Sequence, residues 1–254
     1  MIGGTAQWNE LPREIRETLR PYLEDVSAVF GSSLEAVVLY GSAARGDFRS
    51  GLSNLNLIFL LKTHDVSCLE QYAKHHRRWT KEGIVVPLFL TEQELGTLVD
   101  LFPLEFLELS HARMVLTGRD PFVSLHPDPR RLSVQCLQEI RGNLLRLRQR
   151  FVEGGGSAEA IQVMIPLSIT ALLPALRGLA TILNLSMHGS AEELLGEVQK
   201  NLDLDLTPLV EALRLKYGAI SPGIWELPRL FARYATTVEA LGDRASKALA
   251  GGSL

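Results

Sequence analysis

Residues 37–61 read Val37-Val38-Leu39-Tyr40-Gly41-Ser42-Ala43-Ala44-Arg45-Gly46-Asp47-Phe48-Arg49-Ser50-Gly51-Leu52-Ser53-Asn54-Leu55-Asn56-Leu57-Ile58-Phe59-Leu60-Leu61. An apolar run of strand length ends in Gly41-Ser42. A short polar loop follows. After an eleven-residue gap, a second apolar run carries two amides one position apart, Asn54 and Asn56. Two such runs joined by a glycine-bearing loop predict a β-hairpin, with Gly46 and Gly51 supplying turn geometry.

Outward from this hairpin, Ile15, Leu19, Leu23, Val26 and Phe30 recur at helical spacing over residues 11–30, with Pro12 near the start, where it is tolerated. The strands are expected at about 35–40 and 54–61. A helix follows at about 66–81, basic in its second half. The apolar run 84–90 suits a buried strand, although Pro87 argues for an edge position or a bulge. Residues 92–100 read as helix, Phe102-Pro103 as a break, and Met114–Leu116 as a short strand before a turn at 118–121.

The character changes near Pro127–Pro129, after which the chain reads as helix. Leu137, Ile140, Leu144, Leu147 and Phe151 step by three and four along one face. Gly154-Gly155-Gly156 is a stop, and a long apolar helix or kinked pair is expected over 158–185. Ser190 with Glu193 forms a capping box, Thr207-Pro208 fits an N-cap and first helical position, and a last helix ends near Ala250 before a Gly-Gly-Ser-Leu tail expected to fray. The division is a mixed α/β part, residues 1–125, and an all-helical part, residues 126–254. The fold class is therefore α+β: a mixed sheet with flanking helices, followed by a helical bundle.

The chain has 254 residues, 46% of them hydrophobic and 22% charged, which describes an ordinary globular protein. A net charge of −3 speaks against nucleic acid as a partner. Cys68 and Cys136 match no metal spacing or disulfide framework, which favours a reduced compartment. The first ten residues show no secretion signal. The uncharged stretch 160–176 contains Pro166 and Pro174 and stops at Arg177, reading as a buried helix and not a membrane span. A soluble, cytoplasmic protein is expected.

The Gly41-Ser42 turn, the Arg45-Gly46-Asp47 that follows and the polar-x-polar second run resemble the active-site hairpin of the DNA polymerase β-like nucleotidyltransferase superfamily, of the kanamycin nucleotidyltransferase-like or minimal type. The resemblance is carried by residues 35–61 and, more loosely, to Leu90. It implies that Gly41 and Ser42, with Arg45 beside them, hold nucleotide phosphates through backbone amides and a hydroxyl. Glycine is needed there for close backbone approach. The resemblance also implies carboxylates holding magnesium where this chain has Asn54 and Asn56. A third acid is implied on a neighbouring strand, and 84–90 has none. Glu92 and Glu94 follow it, and Asp47 is the nearest surviving acid. Magnesium is a hard ion that takes carboxylates, so neutral amides predict an active site degenerate for metal, with no catalytic residue and no resident cofactor. Magnesium enters only if the chain is active.

Three functions compete. The first is binding of a nucleoside triphosphate, another anion or a partner protein without turnover. The second is nucleotidyl transfer to a small molecule or protein, and the third is a helical interaction module that forms a homo-oligomer or docks a protein. Other signals are weaker. Lys74-His75-His76-Arg77-Arg78-Trp79-Thr80-Lys81 reads as a solvated helix face anchored by Trp79, with the two histidines pointing different ways. Arg130, Arg131, Arg141, Arg146, Arg148 and Arg150, with Glu139 as the acid among them, read as an outer face, the alternative being a positively charged cleft between the domains. The apolar residues of 102–109 are expected to seal the sheet. Arg177 and His188 lie too far apart for the Arg-x4–6-His pattern of helical ribonuclease domains.

Overall fold

The computed structural model describes residues 6–46, 48, 53–186 and 190–251. Asp47, Gly51, His188 and the terminal Gly252-Ser253-Leu254 lie outside them. The chain forms two compact units, Met1–His126 and Pro127–Leu254.

The first unit is built on a four-stranded mixed sheet, flanked by helices. In chain order its elements are α1 (Arg13–Phe30), β1 (Leu34–Tyr40), the single turn α2 (Ser42–Arg45), β2 (Asn56–Leu61), α3 (Val66–Thr80), β3 (Leu88–Leu90), α4 (Glu92–Leu101), α5 (Pro103–His111) and β4 (Arg113–Gly118). The strand order is β3-β2-β1-β4, with β1 antiparallel to both β2 and β4, and β2 parallel to β3. Because side chains alternate along a strand, Val37, Leu39, Leu57 and Phe59 enter one core with Leu19, Tyr22, Leu23 and Val26 of α1 and Tyr72 and Trp79 of α3. Ala36, Val38, Ile58 and Leu60 enter a second core with Leu95 and Val99 of α4, Phe106 of α5 and Phe122. Helices on both faces explain why β1 and β2 are apolar without interruption. The residues around Phe106 seal the sheet as the sequence indicates.

Two expectations are corrected here. The strand over 84–90 shrinks to Leu88–Leu90, with Leu55 and Ile84 forming an isolated parallel bridge and Val86 and Leu88 exposed. Pro87 cannot donate to the ladder, so the run opens between the two contacts, and β3 is an edge strand. The second hairpin strand begins at Asn56, which leaves Asn54 in the lead-in.

The second unit is helical: α6 (Pro129–Glu153), α7 (Ala158–Ile182), α8 (Ala191–Leu202), α9 (Thr207–Lys216) and α10 (Leu227–Gly251). The central α7 touches all four others. It is long and apolar enough to cross a membrane, but 61% of its apolar window is buried inside the fold, as suits a core helix. Ser190 and Glu193 form the capping box expected of them. Thr207 does not cap. The N-cap is Leu206, and the Thr207 hydroxyl and amide both donate to Asp205 Oδ1, at 2.6 and 2.9 Å. A carboxylate is the stronger acceptor, and the sequence places one two residues upstream. The arginines of α6 pair across the bundle: Arg141 Nη2 with Asp243 Oδ1 at 2.6 Å, and Arg148 Nη2 with Glu239 Oε1 at 3.0 Å, while Arg146 bonds Glu139.

One polar network is sunk in this bundle. Ser168 Oγ donates to Asn143 Oδ1 at 2.6 Å and lies 3.0 Å from the Tyr234 hydroxyl, while Asn143 Nδ2 donates to the Ser168 carbonyl at 2.9 Å. Such a network holds α6, α7 and α10 in one register, because slippage would strand buried polar atoms. Ser168→Ala removes a partner from both Asn143 and Tyr234 and is expected to cost about 1–3 kcal/mol, read as a lowered urea midpoint with unchanged slope.

Candidate functional site

Gly41 carries φ 83° and ψ −147°, a combination open essentially to glycine alone. Its amide donates to the Ala112 carbonyl at 3.0 Å, and its carbonyl accepts from Arg45 N at 3.0 Å, closing α2. Ala43 is buried in the α1–α3 core, which fixes the turn to the sheet, and Gly46 ends it in the left-handed conformation. Ser42 is partly exposed at the start of the turn.

The β1–β2 register pairs Tyr40 with Asn56, and the β1–β4 register pairs Tyr40 with Arg113. Directly paired residues share a face, so Asn56, Tyr40 and Arg113 form a row across one end of the sheet, on the α4–α5 side. A Cβ added to Gly41 would sit 3.2 Å from Asn56 Nδ2. The carboxamide therefore lies against the glycine turn. Tyr40 is half-buried, and that burial raises its phenol above the usual range, keeping it a hydrogen-bond donor at neutral pH. Arg113 is committed elsewhere: Nε and Nη2 grip Asp120, with Nη2 2.8 Å from Oδ2, Nη1 donates to the Ser110 carbonyl, and the guanidinium lies over the Phe122 ring. Nothing in the sequence marks Arg113, whose partners come from the last turn of α5 and the loop after β4.

The residues singled out in the sequence are only partly brought together. Gly41 and Asn56 meet, with Ser42 next in the chain. Arg45, at the end of α2, lies 4.0 Å from Glu108 Oε2 of α5. Asn54 is exposed and lines a separate hollow of about 410 Å³ with Glu14, Thr18, Ser53, Lys81 and Glu82, and the described lining includes neither Gly41 nor Asn56.

Among the described residues, the donors beside the glycine turn do not fit a divalent metal. Asn56 offers a neutral amide. Ile84, Val85 and Val86, beside the start of β2, carry no oxygen ligand in their side chains. Glu92 accepts from Arg119 Nη2 at 2.6 Å. Glu94 closes a capping box with Thr91 and lies 2.6 Å from His64 Nε2, and these hydrogen bonds, the Thr91 amide first, hold its carboxyl below the ordinary range. The sequence shows Glu94 as an acid near the site; the structure uses it to start α4. Among the described residues, no group of three His, Cys, Asp or Glu side chains is placed to hold a metal ion. A divalent ion needs anionic oxygens, and each unit-charge contact near ~4 Å is worth about 4 kcal/mol at an effective dielectric of about 20.

The architecture matches a solved structure, the spectinomycin adenyltransferase AAD(9) from Enterococcus faecialis with ATP and spectinomycin. The TM-score is 0.50 at 11% sequence identity, over 91% of this chain and 99% of that one. The fold is a nucleotidyltransferase fold. No protein-family model and no curated protein sequence matches the chain. At this identity the likeness speaks for the fold alone.

Gly41→Ala tests the turn. A side chain there must adopt a glycine conformation and press on Asn56, which is expected to cost about 1–3 kcal/mol, measured as a lower thermal midpoint. Gly96→Ala is the control, since a Cβ at that helical glycine meets nothing within 4 Å.

Proposed function

We propose that this chain binds a nucleoside triphosphate, or a similar phosphate-bearing anion, at the Gly41–Ser42 turn without magnesium and without turning it over. The observation that carries the reading is the Asn56 carboxamide lying against Gly41. A carboxylate at that position would repel phosphate unless a cation lay between them. A carboxamide carries no charge and presents an N–H donor, so it can meet a phosphate oxygen directly. The Tyr40 hydroxyl beside it is also a donor. Arg45 would add charge by leaving Glu108 for the ligand. The nucleotide is supported by the fold's likeness to an adenyltransferase whose structure contains ATP. A cytoplasmic, bacterial setting is part of the same reading.

The second reading is nucleotidyl transfer to a small molecule or a protein hydroxyl, favoured by that same likeness. The two separate in a melting experiment with millimolar ATP and GTP, with magnesium or with chelator, run alongside a pyrophosphate-release assay. Binding to the native state raises the midpoint by mass action, by about 2.7 kcal/mol of stability at a hundredfold excess over Kd. The expected result is a higher midpoint in chelator and no pyrophosphate. Magnesium-dependent pyrophosphate release would establish transfer instead. If no nucleotide shifts the midpoint, the helical unit becomes the place to look for a protein partner or a second copy.

Asn56→Asp gives the sharper comparison. A charge facing phosphate is expected to weaken metal-free nucleotide binding at least tenfold, about 1.4 kcal/mol, and to make the remaining binding depend on magnesium. Equal affinity for both proteins in chelator, by calorimetry, would remove Asn56 from the site.

A further inference from the structure

A chain of hydrogen bonds runs from the core of the first unit to the end of α3. Tyr72, His76 and Thr80 are four residues apart and share one face of that helix. The Tyr22 and Tyr72 hydroxyls lie 2.7 Å apart, Tyr72 OH lies 3.1 Å from His76 Nδ1, and His76 Nε2 lies 3.1 Å from Thr80 Oγ1. Thr80 Oγ1 in turn donates to the His76 carbonyl, 3.2 Å away. Tyr22 is 0% exposed and is packed against the rings of Phe59 and Trp79. Its hydroxyl makes no other hydrogen bond among the described residues.

Counting hydrogens decides the protonation state. With the imidazole hydrogen on Nε2, that nitrogen donates to Thr80, Thr80 donates to the backbone, Tyr72 donates to Nδ1 and Tyr22 donates to Tyr72. Every group is satisfied. With a hydrogen on Nδ1, as in the charged imidazolium, the Tyr72 oxygen must accept from the ring, so only one of the two phenol hydrogens can lie between Tyr22 and Tyr72. The other phenol hydrogen is left without an acceptor, and a buried donor without an acceptor is costly.

We propose that His76 is an acid-sensitive switch in the α1–α3 face: charging its imidazole strands one hydroxyl hydrogen of the Tyr22–Tyr72 pair in the core and loosens α3 from α1. The hollow at Thr80 holds the charged groups Glu14 of α1, Lys81 and Glu82. From α1 come the Tyr22 phenol and the Asp25 carboxylate, which accepts from Trp79 Nε1 at 3.2 Å. The sheet contributes the apolar rings of Phe59 and Phe89, packed on Tyr72. Along α3 itself Lys74, His75, Arg77 and Arg78 are cationic or can become so. Thr80, the outer end of the chain, lines the same hollow as Asn54, so a loosened α3 would alter that hollow's wall.

Burial of the imidazole works in the same direction, lowering its pKa from the ordinary value of about 6.5. The folded value lies below the unfolded one. The stabilising contribution is therefore complete above about pH 6.5 and is lost as pH falls through the folded value. Asp65 and Glu94 are held low by hydrogen bonds, so their contributions fade only in the carboxylate range near pH 4.

The test is an NMR titration of the six histidines in the full chain. His76 is expected to titrate below the ordinary value. Tyr72→Phe removes the relaying oxygen and should move His76 upward by roughly half a unit or more. Tyr22→Phe should leave it low, because the stranded hydrogen then belongs to Tyr72. If Tyr72→Phe leaves His76 where the parent has it, burial alone sets its titration and the switch is refuted. Should Tyr72→Phe fail to fold, His76→Gln serves: the parent's thermal midpoint should fall between about pH 7.5 and pH 5.5, and the variant's should stay level. Parallel declines would refute the switch equally.

Discussion

The close approach of Gly41 to Asn56 is the constraint on which the first unit's site depends. It follows from backbone hydrogen bonding: the β1–β2 ladder sets Tyr40 opposite Asn56, so the residue after Tyr40 must turn away beside the amide. At Gly41 the chain adopts a conformation closed to other residues, and a side chain would meet the carboxamide at 3.2 Å. Glycine here is required twice, by the torsion angles and by the space. The buried Ala43 and the bond from the Gly41 amide to Ala112 hold the turn in place.

That geometry makes the identity of residue 56 an electrostatic matter. Asparagine and aspartate have nearly the same shape, so the fold tolerates either, but the sign of the field next to the turn differs. The row across the sheet end presents an amide, a phenol and an arginine paired with Asp120. Two of the acids that a linear reading would recruit are occupied, Glu94 in a helix cap and Glu92 with Arg119, and the third, Asp47, lies outside the described residues.

The two units solve their polar problems differently. In the first, polar groups in the core form the hydroxyl–imidazole chain ending at Thr80. In the second, Asn143, Ser168 and Tyr234 close a compact network, and the α6 arginines lie over α10 carboxylates. Those ion pairs are half exposed, Arg141 and Asp243 at 43% and 60% of their side chains. Exposed pairs of this kind contribute about 0–1 kcal/mol each. They serve the docking of α10 more than its stability.

Much of the architecture was legible in the sequence because it is written in local chemistry. The 3.6-residue period of 13–30, the apolar runs of β1 and β2, the break at Phe102-Pro103, the glycines at 154–156 and the Ser190 capping box each specify backbone geometry within a few residues. The α+β class followed from them, and the resemblance of residues 35–61 implied the nucleotidyltransferase fold. What depended on long-range contact was not legible. Val86 and Leu88 look like core in the sequence and are exposed, because Pro87 opens the ladder. Arg141 and Arg148 look unopposed until α10 brings acids from 102 and 91 residues away. The chain alone names Gly41 and Asn56; the ladder that presses one against the other, and leaves Asn54 in a different hollow, exists only in three dimensions.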